Sequence, residues 1–335
     1  MSISCYAAKT AKSALVSHQY DPEGLKPHEI EVDVTHCGIC HSDIHLIDND
    51  WGFSVYPLIP GHEVVGIISQ TGNKTGKLKR GMRVGIGWQA AACMECEWCI
   101  RGEEQLCAQN QATCVGRPGG YGEKIRVDGR FSFVIPENLS SENAAPLLCG
   151  GITVYSPLRV YDIKAPMKVG VVGIGGLGHL ALQFVRAFGC EVTAFSGSAD
   201  KEAEAKKFGA HHFVLSSDKK QMKNAAASQD VILSTVSADI DWQSYFNILR
   251  PKGKIIVLGA SPSPIAVPPF VLIGGQKSVV GSAIGGRAMI NEMLEFAARH
   301  QIKAQTETMP MSEANAALDK VRKNQARYRM VLTNV

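Results

Sequence analysis

A short apolar run, Val169 to Val172, is followed at once by Gly173-Ile174-Gly175-Gly176-Leu177-Gly178 and then by an apolar stripe at helical spacing: Leu177, Leu180, Ala181, Phe184, Val185 and Phe188. Glycine is common in this chain, 33 of 335 residues, so a bare G-x-G-x-x-G would say little. Its setting between a strand and an amphipathic helix is what restricts the fold. Gly173 permits the tight turn, Gly175 lets a pyrophosphate approach the backbone, and Gly178 lets helix and strand pack closely. Gly176 and Leu177 complete the turn, and the helix N-terminus presents free N–H groups and a positive dipole end to phosphates.

Strand and helix continue to alternate downstream. Glu191 to Phe195, Phe213 to Leu215, Asp230 to Thr235 and Lys254 to Leu258 read as strands, and Asp200 to Phe208 as a helix. Repeated βα units predict an α/β domain with a doubly wound parallel sheet of the Rossmann type. The first 150 residues instead read mostly as short strands and turns, among them Glu29 to Val34, Val64 to Ile68 and Gly81 to Ile86, with a helical pattern clear only after about Asn143. The tail from about Arg287 has one helical stripe and a last strand, Tyr328 to Leu332, but no core of its own. The expected division is therefore a β-rich domain over 1–149, completed by 287–335, and a nucleotide domain over 150–286.

The second strand of that nucleotide domain ends Ala194-Phe195-Ser196-Gly197-Ser198, where an NAD site usually carries an acid for the ribose 2′-OH. Ser196, Ser198 and Lys201 suit a 2′-phosphate instead, each charge-assisted hydrogen bond contributing roughly 1.5–3 kcal/mol. NADP(H) is expected over NAD. Asp200 argues the other way, and reads as the cap of the next helix.

Hydrophobic residues at 45% and charged ones at 20% exclude a disordered chain. Thirty-five Lys plus Arg against 31 Asp plus Glu leave +4, too small and scattered an excess for nucleic acid or a membrane surface. Met1 to Ser17 lacks the apolar core of a signal peptide, and no apolar run approaches the ~20 residues of a membrane span. A cytoplasmic protein is expected.

Ten cysteines in a reducing compartment point to metal or catalysis more than to disulfides. Cys93-x2-Cys96-x2-Cys99-x7-Cys107 places four thiols within fifteen residues, enough for a closed tetrahedral zinc site that orders its own loop. A ferredoxin-type cluster is the competing reading; the x7 gap and the lack of proline after Cys107 count against it. A second constellation is dispersed: Gly38-Ile39-Cys40-His41-Ser42-Asp43-Ile44-His45, then Gly61-His62-Glu63, then Leu148-Cys149-Gly150. Cys40, His62 and Cys149 offer two sulfurs and a nitrogen, the donor set of an open catalytic zinc, but spacing alone does not join them. Cys5, Cys37, Cys114 and Cys190 read as buried or inert thiols, and His211 and His212 as a surface turn.

These motifs together, with Cys37-Gly38-Ile39-Cys40-His41-Ser42-Asp43, Pro60-Gly61-His62-Glu63 and Leu147-Leu148-Cys149-Gly150-Gly151-Ile152-Thr153, closely resemble the zinc-dependent medium-chain alcohol dehydrogenases, nearest to the cinnamyl alcohol dehydrogenase-like, NADP-dependent aldehyde reductases. The resemblance spans essentially the whole chain. It implies a GroES-like catalytic domain beside the Rossmann domain, two Zn2+ per chain, a homodimer formed through the nucleotide domains, and interconversion of alcohols and aldehydes. It makes Cys40, His62 and Cys149 catalytic-zinc ligands, with Glu63 an exchangeable fourth, and Cys93, Cys96, Cys99 and Cys107 the structural-zinc ligands. Asp43 would orient His62. Ser42 and His45 would relay the alcohol proton, His41 would lie near the pyrophosphate, and Thr153, Ser282 and Ala283 near the nicotinamide. Because zinc can lower the pKa of bound water from about 15.7 to about 7, roughly 12 kcal/mol of anion stabilisation, the metal should outweigh the relay.

Trp51 and Phe53 precede the Gly61-His62-Glu63 segment and are candidates for the substrate cleft. Two stretches depart from the plant cinnamyl pattern. Cys107-Ala108-Gln109-Asn110-Gln111-Ala112 lacks the usual tryptophan, and Gly281-Ser282-Ala283 lacks the usual phenylalanine. The pocket is thus expected to differ in shape, and the expected substrates are small to medium aldehydes, aromatic or unsaturated. The rival readings are an NAD-dependent zinc polyol dehydrogenase, disfavoured by the missing acid, and a nucleotide-sensing relative without catalysis, disfavoured because no ligand or relay hydroxyl is missing.

Overall fold

The structure, a computed structural model, describes residues 2–261 and 263–334. The chain divides into two units, 1–152 with 285–335, and 153–284.

The first unit is built on a seven-stranded sheet. In spatial order its strands are Thr306–Pro310, Arg329–Thr333, Glu29–Gly38, Val64–Thr71, Arg83–Ile86 and Ser132–Val134, with Lys124–Asp128 also paired to Glu29–Gly38. The alternation that marks Glu29 to Val34 puts Ile30, Val32 and Val34 into a core with Val64, Ile68, Val84, Ile86, Ile125 and Leu332. Burying a side chain of this size contributes about 1.5–3 kcal/mol, so this face holds the sheet together. Register then positions chemistry. Cys37 pairs with Val64 and Leu332, so Gly38 lies level with Glu63, and Ile39 N–H donates to the Met330 carbonyl at 2.9 Å.

The first 150 residues are mostly strands and turns, but helix begins earlier than about Asn143, because His41–Asp48 is an α-helix and Glu97–Ile100 a short one. The helix His41–Asp48 has a modest apolar face, Ile44, Leu46 and Ile47. Its start depends on Asp43, whose carboxylate accepts the Cys40 backbone N–H at 2.9 Å. Chemistry-bearing residues crowd this segment and obscure its helical period.

The second unit contains a six-stranded parallel sheet: β1 (Lys168–Val172), β2 (Glu191–Ser196), β3 (His212–Leu215), β4 (Gln229–Ser234), β5 (Leu249–Val257) and β6 (Ser278–Gly281). The spatial order is β3-β2-β1-β4-β5-β6, every neighbouring pair parallel. The order reverses direction between β1 and β4, where doubly wound sheets open a crevice at the strands' carboxyl ends. The helix Gly178–Ala187 buries Leu180, Ala181, Phe184 and Val185. His212 is not a turn residue, as it begins β3, and the His211 ring accepts the Val192 N–H at 2.9 Å. Among the described residues no helix is long and apolar enough to cross a membrane.

Candidate active site

Asp43 organises the dispersed constellation. One carboxylate oxygen holds the Cys40 N–H; the other accepts the Gly61 N–H at 2.9 Å and faces His62 Nδ1 at 3.0 Å. A single fully buried side chain thus ties the helix start to the Gly61-His62-Glu63 turn. Cys149, just after the turn Ala145–Leu148, brings the last donor. One donor atom from each of Cys40, His62, Glu63 and Cys149 lies within 4.8 Å of the others, with the two sulfurs 3.9 Å apart.

Two of the donor atoms are left unsatisfied by protein. Among the described residues, His62 Nε2 and Glu63 Oε2 are buried without a hydrogen-bond partner. Such groups cost about 1–3 kcal/mol each if nothing meets them, which a metal cation would do. The proton shared with Cys149 holds the Cys40 thiol well below its usual range, against burial, and Cys149 is correspondingly pushed well up. Burial acts to lower His62, but the charges of Asp43 and Cys149 more than offset it and raise the ring. Burial raises Glu63 to about 7, opposed by Arg329.

Arg329 is the first of the residues that the sequence alone did not bring to the site. It is buried and ion-paired with Glu63 Oε1. The pairing of Arg329–Thr333 with Glu29–Gly38 delivers it there, and no local spacing could reveal that contact. Cys114, read as a buried or inert thiol, is buried, with its sulfur within 4.8 Å of Asp43 and His62 donor atoms. Trp88 also went unnoticed: its ring meets His62 edge-on at 4.9 Å. From there an aromatic wall continues outward, Trp88 to Trp51 at 6.2 Å and Trp51 stacked on Phe53 at 5.7 Å. Trp51 and Phe53 are 39% and 48% exposed, so this wall ends at solvent. His45 lies 5.3 Å from Trp51, and its Nδ1 is 2.8 Å from Asp50, an acid close enough in sequence to have been noticed. Ser42 Oγ is 3.7 Å from the Cys40 sulfur, and His41 is exposed at the helix start.

The second cluster is separate. Cys93, Cys96, Cys99 and Cys107 offer four sulfurs within 4.8 Å of one another. Cys93 lies 3.8 Å from Cys99 and 3.6 Å from Cys107, so the thiols are unbridged. Backbone N–H groups of Cys96 and Gln109 donate to Cys93 and Cys107 at 3.3 Å, the pattern that suits thiolates. The Glu104 side chain is buried and accepts both the backbone N–H and Nε of Arg287, at 3.0 and 2.7 Å.

In the second unit, two glycines of the turn are required by its geometry. Gly173 has φ +86°, and a Cβ at Gly178 would stand 1.8 Å from the Gly173 carbonyl oxygen. A Cβ at Gly175 would meet nothing within 4 Å, which leaves room for a phosphate against the backbone. Gly176 and Leu177 lead from there into the helix. Lys201 Nζ donates to the Ile174 carbonyl at 2.7 Å, placing the ammonium beside the turn. Ser196 is 5% exposed and its hydroxyl bonds the Ser198 carbonyl, whereas Ser198 is exposed. Ser282 and Ala283 follow β6, at the carboxyl end of the sheet, and Thr153 lies in the helix Gly150–Val160.

Residues 26–137 match the alcohol dehydrogenase GroES-like domain, and residues 176–299 the zinc-binding dehydrogenase family. The chain is 42% identical to an aldehyde reductase from Synechocystis sp., covering 99% of both proteins. Among solved structures it is similar to a cinnamyl alcohol dehydrogenase from Sorghum bicolor, with TM-score 0.95 and 38% identity over 99% of this chain and 98% of that one. A Helicobacter pylori cinnamyl alcohol dehydrogenase complexed with NADP(H) matches with TM-score 0.92 and 31% identity over 99% and 98%.

Proposed function

This chain belongs to the zinc-dependent medium-chain alcohol dehydrogenases, and on that premise we propose that it reduces small to medium aromatic or unsaturated aldehydes with NADPH, and runs the reverse oxidation. The observation that carries this reading is the Cys40, His62, Glu63 and Cys149 cluster with its two unpartnered donor atoms. Zinc held there supplies Lewis acidity toward the aldehyde oxygen, and NADPH supplies the hydride.

The remaining work falls to the chain. Cys40, His62 and Cys149 would hold the metal, Glu63 would fill its open position when substrate is absent, and Asp43 would orient His62. Ser42 would hand the alcohol proton toward His45. Asp50 fixes the His45 ring through Nδ1 and so leaves Nε2 for exchange with solvent. Trp88, Trp51 and Phe53 would line the approach with apolar, planar surface suited to an unsaturated substrate. His41 would lie near the pyrophosphate, and Thr153, Ser282 and Ala283 near the nicotinamide. Ser198 and Lys201 would take the 2′-phosphate. Ser196 would do so only by turning its hydroxyl from Ser198, so it is the weakest member of that trio. Cys93, Cys96, Cys99 and Cys107 would hold a second zinc for stability alone.

A homodimer is supported by β6, the edge of the six-stranded sheet, and by Phe270 and Ile273 beside it in sequence, 84% and 67% exposed. Cytoplasmic residence agrees with the ten free cysteines.

The test is initial rates with cinnamaldehyde and benzaldehyde, using NADPH and NADH in parallel, before and after zinc chelation. NADPH-dependent, chelator-sensitive turnover is expected. A preference for NADH would refute the Ser198 and Lys201 assignment while keeping the reaction. Chelator-resistant turnover would refute the zinc assignment. His45→Ala should slow the reaction by about 10–100-fold without stopping it, within the range of acid–base relays.

A further inference from the structure

A cleft of about 920 Å³, lined by none of the residues assigned to catalysis, opens in the first unit between the Tyr20–Glu29 segment, residues 110–118 and the strand Lys124–Asp128. Its volume is in the range of small-molecule sites. Most of its cations are matched to acids. Arg126 is paired with Glu31, Arg130 with Asp128, and Lys26 lies near Glu23 and Glu29.

Arg117 is the exception. Its guanidinium donates one hydrogen bond, to the Arg126 carbonyl at 3.0 Å, and among the described residues no carboxylate lies within 4.0 Å of it. A guanidinium has five N–H donors, so most of its capacity is unused. Its side chain is largely withdrawn from water, and that burial pulls its pKa down against the pull of more distant Glu29 and Asp128. An arginine held this way in a cleft offers a planar fork for one carboxylate.

The surroundings narrow the ligand. Glu29 and Asp128 line the same cleft, each already paired with a cation, so the cleft offers one guanidinium and not a concentrated positive patch, which suits a monoanion more than a dianion such as phosphate. Tyr20, Pro27, Val115 and Pro118 give the same cleft apolar surface for an organic body. The segment that lines it also reaches the candidate active site. Thr113 bonds Gly87 and Trp88 backbone at 2.7 Å, and Cys114 lies beside His62.

We propose that this cleft is a second binding site, taking a small organic monocarboxylate with its carboxylate on Arg117 and its apolar body against Tyr20 and Val115. The site does not depend on which aldehyde the enzyme reduces.

Benzoate is the probe. Its binding to the zinc-loaded protein saturated with NADP+ is followed by calorimetry and by saturation-transfer NMR, with and without aldehyde. Saturable binding is expected that aldehyde does not displace. Arg117→Met should weaken it at least about tenfold and Arg117→Lys less, since a point charge replaces the fork. Val115→Glu sets a like charge on the wall and leaves Arg117 in place, so it tests the site if the Arg117 variants fold poorly; it too should weaken binding at least about tenfold. Turnover of aldehyde by Arg117→Met should stay within about twofold of the parent. Undiminished benzoate binding in Arg117→Met or in Val115→Glu, displacement by aldehyde, or no saturable binding below about 10 mM would each overturn the proposal.

Discussion

Two sets of four donors that could hold a metal ion lie in the same unit of this protein, and they are built in opposite ways. The cysteine lobe draws all four sulfurs from fifteen consecutive residues, Cys93 to Cys107, on a segment with only one helical turn and a 3-10 turn of its own. The other cluster gathers Cys40, His62, Glu63 and Cys149 from three separated segments and positions them through a sheet register and one buried carboxylate, Asp43. On the reading proposed above, four like sulfurs would close a coordination shell and leave nothing for chemistry. Two sulfurs, one imidazole and a carboxylate that is also claimed by Arg329 would leave one position exchangeable. A metal could then organise the first cluster, whereas the fold itself brings the donors of the second together.

The largest expected effect tests that division. Cys40→Ala or His62→Ala should cut turnover at least about 10³-fold, equivalent to about 4 kcal/mol of barrier, with folding largely kept. Cys96→Ser should do the reverse, lowering the melting temperature and costing one zinc per chain, while molecules that remain folded turn over near the parental rate. Zinc content, thermal melts and rates on the same preparations decide it. A Cys96→Ser protein as inactive per folded molecule as Cys40→Ala would erase the distinction.

Arg329→Met is next in size. It would leave Glu63 fully buried with its main positive partner gone, and breaking such a pair typically costs about 3–5 kcal/mol. Denaturant unfolding should show that loss, and Arg329→Met combined with Glu63→Gln should recover part of it. Equal stability of the single and double variants would mean that the charge on Glu63 is not what Arg329 serves.

The same contrast explains what was legible in the sequence. The cysteine lobe could be read directly, because its donors are neighbours in the chain. The glycine turn was legible because its geometry is local too: Gly173 adopts φ +86° and Gly178 has no room for a Cβ. Joining Cys40, His62 and Cys149 took a resemblance to known enzymes, since their proximity comes from long-range pairing. Arg329 and Trp88 were lost for the same physical reason, their partners being set by strand register and ring packing across the sheet. The helix His41–Asp48 was lost for another. Its apolar period is short and its first turn is occupied by the polar residues His41, Ser42 and Asp43.

The smallest effect asks whether the lobe is as self-sufficient as the comparison implies. Each cluster region contains a buried glutamate paired with an arginine of the C-terminal segment: Glu63 with Arg329, and Glu104 with Arg287. Glu104 accepts the first backbone N–H of the helix Arg287–His300 as well as the guanidinium Nε. Glu104→Gln keeps the shape but removes the charge and turns an amide N–H₂ toward one of those donors. The loss should be about 1.5–3 kcal/mol, the worth of hydrogen bonds to a charged group. If the lobe depends on this anchor, the variant should also surrender its structural zinc to a chelator faster than the parent, with turnover at zinc saturation unchanged. If zinc release is unaltered while stability falls, the four sulfurs hold their metal without help from the C-terminal helix, and the contrast between the two clusters becomes sharper.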